Sequence, residues 1–270
     1  MKTIPRRRSG FTLTELAMVL VIVALLLSGL LIPLSTQIDI RNQEAEKKLL
    51  AEIREALLGF LIQNGRLPCP ASRTQTGVGA GQEMTTGVGP LLECSCTTAG
   101  GVIAGAASPP EVCGTSATGV LPWATLGFPE SDTWGSRRTY RMTTIFGRGI
   151  DPARATNVFG SDTSGNPCVP DSAPQKAAFA LCTAGNINVL ASGGGTTISS
   201  RLPAVIVSHG GRTAGAWTTQ GTQISGAVGD ELENANSDVT FVSRNDLDDI
   251  VVWLPITFIS NRMIASGRLP

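Results

Sequence analysis

The sequence predicts an α+β protein: one long N-terminal helix packed on an antiparallel β-sheet. Three observations carry this. An apolar segment, Phe11 to Leu34, follows a short basic leader. Leu50, Ile53, Leu57 and Leu61 then recur every three or four residues among charged ones, the pattern of a helix apolar on one face. In the C-terminal half, short apolar and β-branched runs alternate with glycine-rich turns, the pattern of antiparallel strands.

Residues 1–10 read as a leader. Lys2, Arg6, Arg7 and Arg8 hold this end in the cytoplasm by the positive-inside rule. Residues 11–34 are long enough to span a bilayer, which takes about 20 apolar residues. Glu15 interrupts that run. A carboxylate at the centre of a spanning helix costs about 2.5–3.5 kcal/mol and less near the interface, so it calls for a partner and a purpose. An ordinary secretory signal has an apolar region of roughly 7–15 residues and is cut after it, which does not fit here. A plain signal anchor fits the length and has no use for Glu15.

The order Arg6-Arg7-Arg8-Ser9-Gly10, then Phe11-Thr12-Leu13-Thr14-Glu15, then a long apolar run resembles the class III signal of type IV prepilins and type II secretion pseudopilins. The resemblance implies a cut between Gly10 and Phe11 by a prepilin peptidase, N-methylation of Phe11, and a role for Glu15 in assembly. It implies a pilin-like ladle, anchored once in the bacterial inner membrane with its C-terminal domain in the periplasm or on a cell-surface filament. Its partners would be other pilin or pseudopilin subunits, the inner-membrane assembly platform and the membrane itself.

Pro33 lacks a backbone donor and is a kink candidate within the first helical segment. Residues 35–65 continue the helix in amphipathic form, clearest from Gln43 to Ile62. Asn64-Gly65 suits a left-handed cap, and Pro68 and Pro70 prevent a restart. Residues 66–270 form the extracytoplasmic domain. Its first part, about 71–119, is rich in glycine, threonine, serine and alanine without a sustained period and reads as a long connecting loop. Strands are expected at Thr139–Thr143, Ala177–Leu181, Asn186–Ala191, Ala204–Ser208 and Val239–Ser243. The run Ile250–Ile259 is the most apolar, with Pro255 marking an edge or a bulge.

Lysine plus arginine, 21, equals aspartate plus glutamate, 21, so no global field draws nucleic acid. Loss of the leader would leave the remainder slightly acidic. Six cysteines lie beyond the apolar segment: Cys69, Cys94, Cys96, Cys113, Cys168 and Cys182. An even number in an oxidising compartment reads as disulfides, and fifteen full pairings are open. Cys94 and Cys96 are too close to bond each other easily; Cys168 with Cys182 would close a short loop. Cys-x-Cys without a nearby histidine does not match a zinc site.

Leu121 to Gly127 leads into Asp132-Thr133-Trp134-Gly135 and then Tyr140. This resembles the Asp-x-Trp-Gly…Tyr stretch of the major pseudopilin. Physically, Trp123 and Trp134 are expected to seal the helix against the sheet, with Gly135 in a tight turn. Asp246, Asp248 and Asp249 are candidate calcium ligands, weighed against a solvated acidic turn. They resemble the major pseudopilin's calcium loop, but Ser208-His209-Gly210-Gly211-Arg212 lacks the family's glycine-aspartate turn. No other cofactor is expected. Ser208 and the sole histidine, His209, are neighbours on a strand and point to opposite faces, which leaves a nucleophile without its base. The sequence reads as a structural subunit, not an enzyme, with a non-polymerising membrane-anchored binding domain as the rival from another class.

Overall fold

Glu46, Leu50, Ile53, Leu57 and Leu61 are spaced four, three, four and four residues apart, which puts them on one face of a helix. The computed structural model describes residues 10, 12–87, 92–96, 111–112, 116–150, 160–168 and 176–269, with the backbone alone for 27–36, 96, 111–112 and 116. Helix α1 (Leu13–Asn64) runs through Pro33 and ends where Gly65 takes φ 69° and donates its N–H to Leu61 O at 2.7 Å. Residues 1–44 and 45–270 form two units, described separately below.

In the first unit, the side chains of residues 13–26 are exposed, Leu13 by 85% and Met18 by 69%. Among the described residues no helix is long and apolar enough to cross a membrane. The expected spanning stretch, 11–34, includes Phe11 and the side chains of 27–34, which lie outside the description.

The second unit is built in layers around a four-stranded antiparallel sheet. After short strands β1 (Thr85–Thr86), β2 (Glu93–Cys96) and β3 (Glu111–Val112) come β4 (Ser116–Val120), α2 (Trp123–Leu126), β5 (Ser136–Arg137) and β6 (Thr139–Thr143). A single turn of 3-10 helix, Thr144–Gly147, follows β6. Then come β7 (Ile187–Leu190), β8 (Thr197–Leu202), β9 (Ala204–Ser208), β10 (Trp217–Thr218), α3 (Asp230–Ala235), β11 (Thr240–Val242), β12 (Ile250–Leu254) and α4 (Ile256–Ala265). The main sheet has the order β12-β9-β6-β4; a second sheet has the order β11-β7-β8.

Strand β9 shows how one sequence serves two layers. Side chains alternate across a strand. Ala204 and Ile206 pack with Leu50, Ile53, Leu57, Leu61 and the α4 residues Ile259 and Met263. Val205 and Val207 pack with Ile187, Val189, Leu202 and Phe241 of the second sheet. Each fully buried Leu or Ile contributes about 1.5–3 kcal/mol, so the stripe on α1 is a principal hold on this segment of the helix.

Glu46 heads that stripe and is fully buried. Arg138 Nε donates to Glu46 Oε1 at 2.5 Å and Nη2 to Oε2 at 2.9 Å, and the Thr133 N–H reaches Oε2 at 3.2 Å. The 132–135 turn therefore grips the helix through a carboxylate. Asp132 Oδ1 accepts the N–H groups of Trp134 and Ser136 at 3.0 and 2.9 Å, and Gly135 takes φ 87°, a conformation that a side chain resists.

The fold departs from the sequence reading in several places. The 71–119 stretch is not one loop: β4 is a strand of the main sheet, and Ala71 exchanges backbone bonds with Val120 at 2.9 and 3.0 Å. Residues 177–180 are buried but form no strand; 177–179 are bends, and their burial comes from core packing, not from pairing. Pro255 ends β12 and opens α4, because its missing donor is harmless at a helix start. Strand β11 pairs with β7 in parallel. Trp123 does not seal the helix; it packs with Ala71 and Val120 beneath the Arg137 guanidinium, 4.9 Å from the ring centroid.

Candidate functional site

The N-terminus of α1 is closed by its own residues. Thr12 Oγ1 accepts the Glu15 N–H at 3.3 Å, while Glu15 Oε2 accepts the Thr12 N–H and hydroxyl, each at 2.9 Å. This reciprocal arrangement satisfies two donors that a helix start otherwise leaves bare. It also sets a negative charge at the positive end of the helix dipole. The signature Thr-x-x-Glu is legible in the sequence as a helix cap, a use of Glu15 that reading it as a membrane charge overlooks.

Gly10 lies just ahead of this cap and is exposed. A Cβ built there meets no atom of the described residues within 4 Å. Phe11 lies outside the described residues.

The cysteines are joined as Cys69–Cys94 and Cys168–Cys182. Cys113 and the Cys96 side chain lie outside the described residues. Cys69 also stands beside a bidentate ion pair: Arg66 bonds Glu83 at 2.8 and 2.7 Å, and Glu83 Oε2 accepts the Cys69 N–H at 3.0 Å.

Asp246, Asp248 and Asp249 do not converge. Asp246 is held by Arg244, which also binds Asp230 at 2.6 Å. Asp248 Oδ2 takes the Arg212 N–H at 2.7 Å. Asp249 is buried and takes the Asn234 amide at 2.8 Å. Among the described residues no group of three or more His, Cys, Asp or Glu could hold a metal ion. Burial pushes the Asp249 carboxyl up to about 7, with Asp248 and Glu231 adding to the rise. Burial drives the neighbouring His209 down to about 4. Its Nε2 pairs with Thr139 Oγ1 at 2.9 Å, and Nδ1 stands 3.9 Å from Asp249 Oδ1.

Ser208 donates to Asp132 Oδ2 at 2.8 Å. Serine and histidine thus turn to different partners, Ser208 at the end of β9 and His209 just beyond it. Tyr140 is buried and donates to Pro68 O at 3.2 Å, with its phenol pushed up by burial.

Residues 5–31 match the family model for the prokaryotic N-terminal methylation motif. That segment carries the class III signal, which supports a type IV pilin-like protein and indicates prepilin-type processing of the pilin or pseudopilin sort. The motif implies a place at the membrane or in the cell envelope. No curated protein and no solved structure shows a significant match to the chain.

Proposed function

We propose that this chain is a structural subunit, a pilin or minor pilin, of a type IV pilus-like envelope filament. Prepilin peptidase cuts it between Gly10 and Phe11, Phe11 is N-methylated, and subunits join through their N-terminal helices while the C-terminal domain faces the periplasm or the cell surface. The observation that carries this reading is the methylation motif over residues 5–31. The Thr12–Glu15 cap supports it, because every atom of that cap lies beyond the cut. Glu15 would remain at the helix start, next to the new amine, and offset its charge within one subunit or across two.

The Asp132-Thr133-Trp134-Gly135 turn favours a second reading, a type II secretion pseudopilin that acts in protein export. Catalysis has no part in either.

Intact mass of the membrane-extracted protein tests the processing. A mature chain that begins at methylated Phe11 is expected, and Gly10→Glu should block the cut. A product retaining Met1 would sink the idea. Two variants then separate the roles of Glu15. Gln also serves in a helix-capping box, so Glu15→Gln keeps the cap and loses the charge, while Glu15→Val loses both. If the charge guides assembly, both are cleaved at Gly10 and both are depleted from the sheared filament fraction. Normal incorporation of Glu15→Gln would leave the carboxylate a capping role alone.

A further inference from the structure

The two bridges differ in what solvent can reach. Cys69 and Cys94 are 0% and 2% exposed and belong to the main core. Met142 Sδ stands 3.9 Å from Cys94 Sγ, and a Cβ on Gly147 would come within 2.7 Å of that sulfur. In the other bridge Cys168 is 1% exposed, but Cys182 lies in a turn at the surface. We propose that Cys168–Cys182 is a thiol-exchange site, attacked at the Cys182 sulfur by a small solvent dithiol, and that its opening unties the 160–168 hairpin while the core stays closed.

The chemistry follows from access. Exchange needs a thiolate to reach a disulfide sulfur. The dithiol, as its thiolate, bonds to Cys182 Sγ. The Cys168–Cys182 bond breaks, and Cys168 leaves as a thiolate that takes a proton from water. The second thiol of the reagent loses its proton and attacks the reagent's own sulfur in the mixed disulfide, so Cys182 leaves and is protonated in turn. The bridge is reduced to two thiols, and the dithiol is oxidised to a cyclic disulfide. Burial opposes the departure of Cys168, since apolar surroundings disfavour a thiolate. At Cys69–Cys94 that cost attaches to either leaving sulfur, and neither sulfur is approached until the core opens.

The fold confines the effect. The 160–168 hairpin is built from its own bonds: Asp162 N–H to Asn166 O and Cys168 N–H to Gly160 O, each 2.9 Å, with residues 163–167 exposed. It meets the 176–184 segment at the bridge, through the Ala184 N–H to Ser161 O at 2.9 Å, and through the small apolar pair Cys168 and Ala180. The segment has its own hold on the core. Ala177, Ala178 and Phe179 sit within it, the Ala178 N–H donates to Gly65 O at 2.8 Å, and the Phe179 ring lies 4.8 Å from that of Phe146. Breaking the bridge therefore removes a tie of the hairpin and leaves these contacts in place.

The probe is dithiothreitol, added in graded amounts to the full-length chain in detergent. Samples are quenched in acid, new thiols are alkylated, and the peptides are read by mass. Cys168 and Cys182 are expected to become alkylated at least about tenfold faster than Cys69 and Cys94, because the latter pair waits for the core to open. With Cys168–Cys182 alone reduced and alkylated, hydrogen exchange should rise in 160–168 and hold steady in β9 and in the buried part of α1. The double variant Cys168→Ala with Cys182→Ala should show the same rise without reductant. Free thiols at Cys168 and Cys182 before any reductant overturn the proposal. So do equal rates at the two bridges, or a faster rate at Cys69–Cys94. So does unchanged exchange in 160–168 once the bridge is open; reduced wild type keeps this decisive should the double variant fail to fold.

Discussion

Removing the carboxylate of Glu46 is expected to destabilise the second unit about as much as truncating a buried leucine of the same stripe to alanine. Both partners of the pair are out of water: the Glu46 side chain is 0% exposed and the Arg138 side chain 1%. In Glu46→Ala the guanidinium keeps one contact, Nη1 to Pro129 O at 3.3 Å, and loses both charge-assisted bonds. Breaking a buried pair from one side costs about 3–5 kcal/mol, because a charge stays behind. For a unit of this size 1 kcal/mol moves Tm by about 2–4 °C, so a drop of about 6–20 °C is expected. Circular dichroism melts of the detergent-solubilised chain measure it. The pair replaced on both sides, Glu46→Leu with Arg138→Leu, should lose less than Glu46→Ala, since no bare charge remains. A Tm drop below about 2 °C in Glu46→Ala, or single and double changes that simply add, would refute the reasoning.

Asp249 supplies a pH signature. Its carboxyl titrates near 7 in the folded chain and near about 3.9 when unfolded. Between those values the folded state holds a proton that the unfolded state has lost, so this group makes stability fall as pH rises. His209, lowered to about 4, acts in the opposite sense up to its unfolded value of about 6.5. Asp249→Asn removes the falling contribution alone, so its Tm relative to wild type should be higher at about pH 8 than at about pH 5; an equal difference at both would show that Asp249 does not titrate there. The cysteines give another test. Protein from an oxidising compartment, labelled for thiols under denaturing and non-reducing conditions, should show Cys69, Cys94, Cys168 and Cys182 unlabelled; labelling of all four would refute both bridges.

The parts of the fold legible in sequence were those with a strong period. Leu50, Ile53, Leu57 and Leu61 announced a buried helix face, and β6, β7, β9 and β11 fell within a residue of the expected runs. Ala177 to Leu181 misled because apolar residues buried without pairing, as 177–180 are, look the same in sequence as those in a strand. Strand β8, Thr-Ile-Ser-Ser-Arg-Leu, is mostly exposed and carries no apolar signal. Strand β4 hides in low complexity, since Gly119 is needed for close approach: a Cβ there would sit 2.3 Å from Ala71 O. In the candidate sites, Gly10 and Glu15 stand out through local order alone. Glu46 is harder, because its partner lies 92 residues away and a carboxylate among Lys47 and Lys48 looks solvated. The unequal exposure of Cys168 and Cys182 has no local signature, as only packing decides which of the two faces solvent.

The Cys69–Cys94 bridge also changes what a protease can do to this chain. It spans a sequence separation of 25 residues, directly after the point where α1 ends. A single cut inside that interval yields two polypeptides that stay covalently one molecule until a reductant arrives. The fragment bearing the helix would still carry the domain with it, so nicking would be silent on a non-reducing gel and visible only after reduction. Secreted and envelope proteins live among proteases; here a backbone break in the exposed part of that interval, 76–79 with Gly77 and Gly79, need not shed the domain from its N-terminal helix.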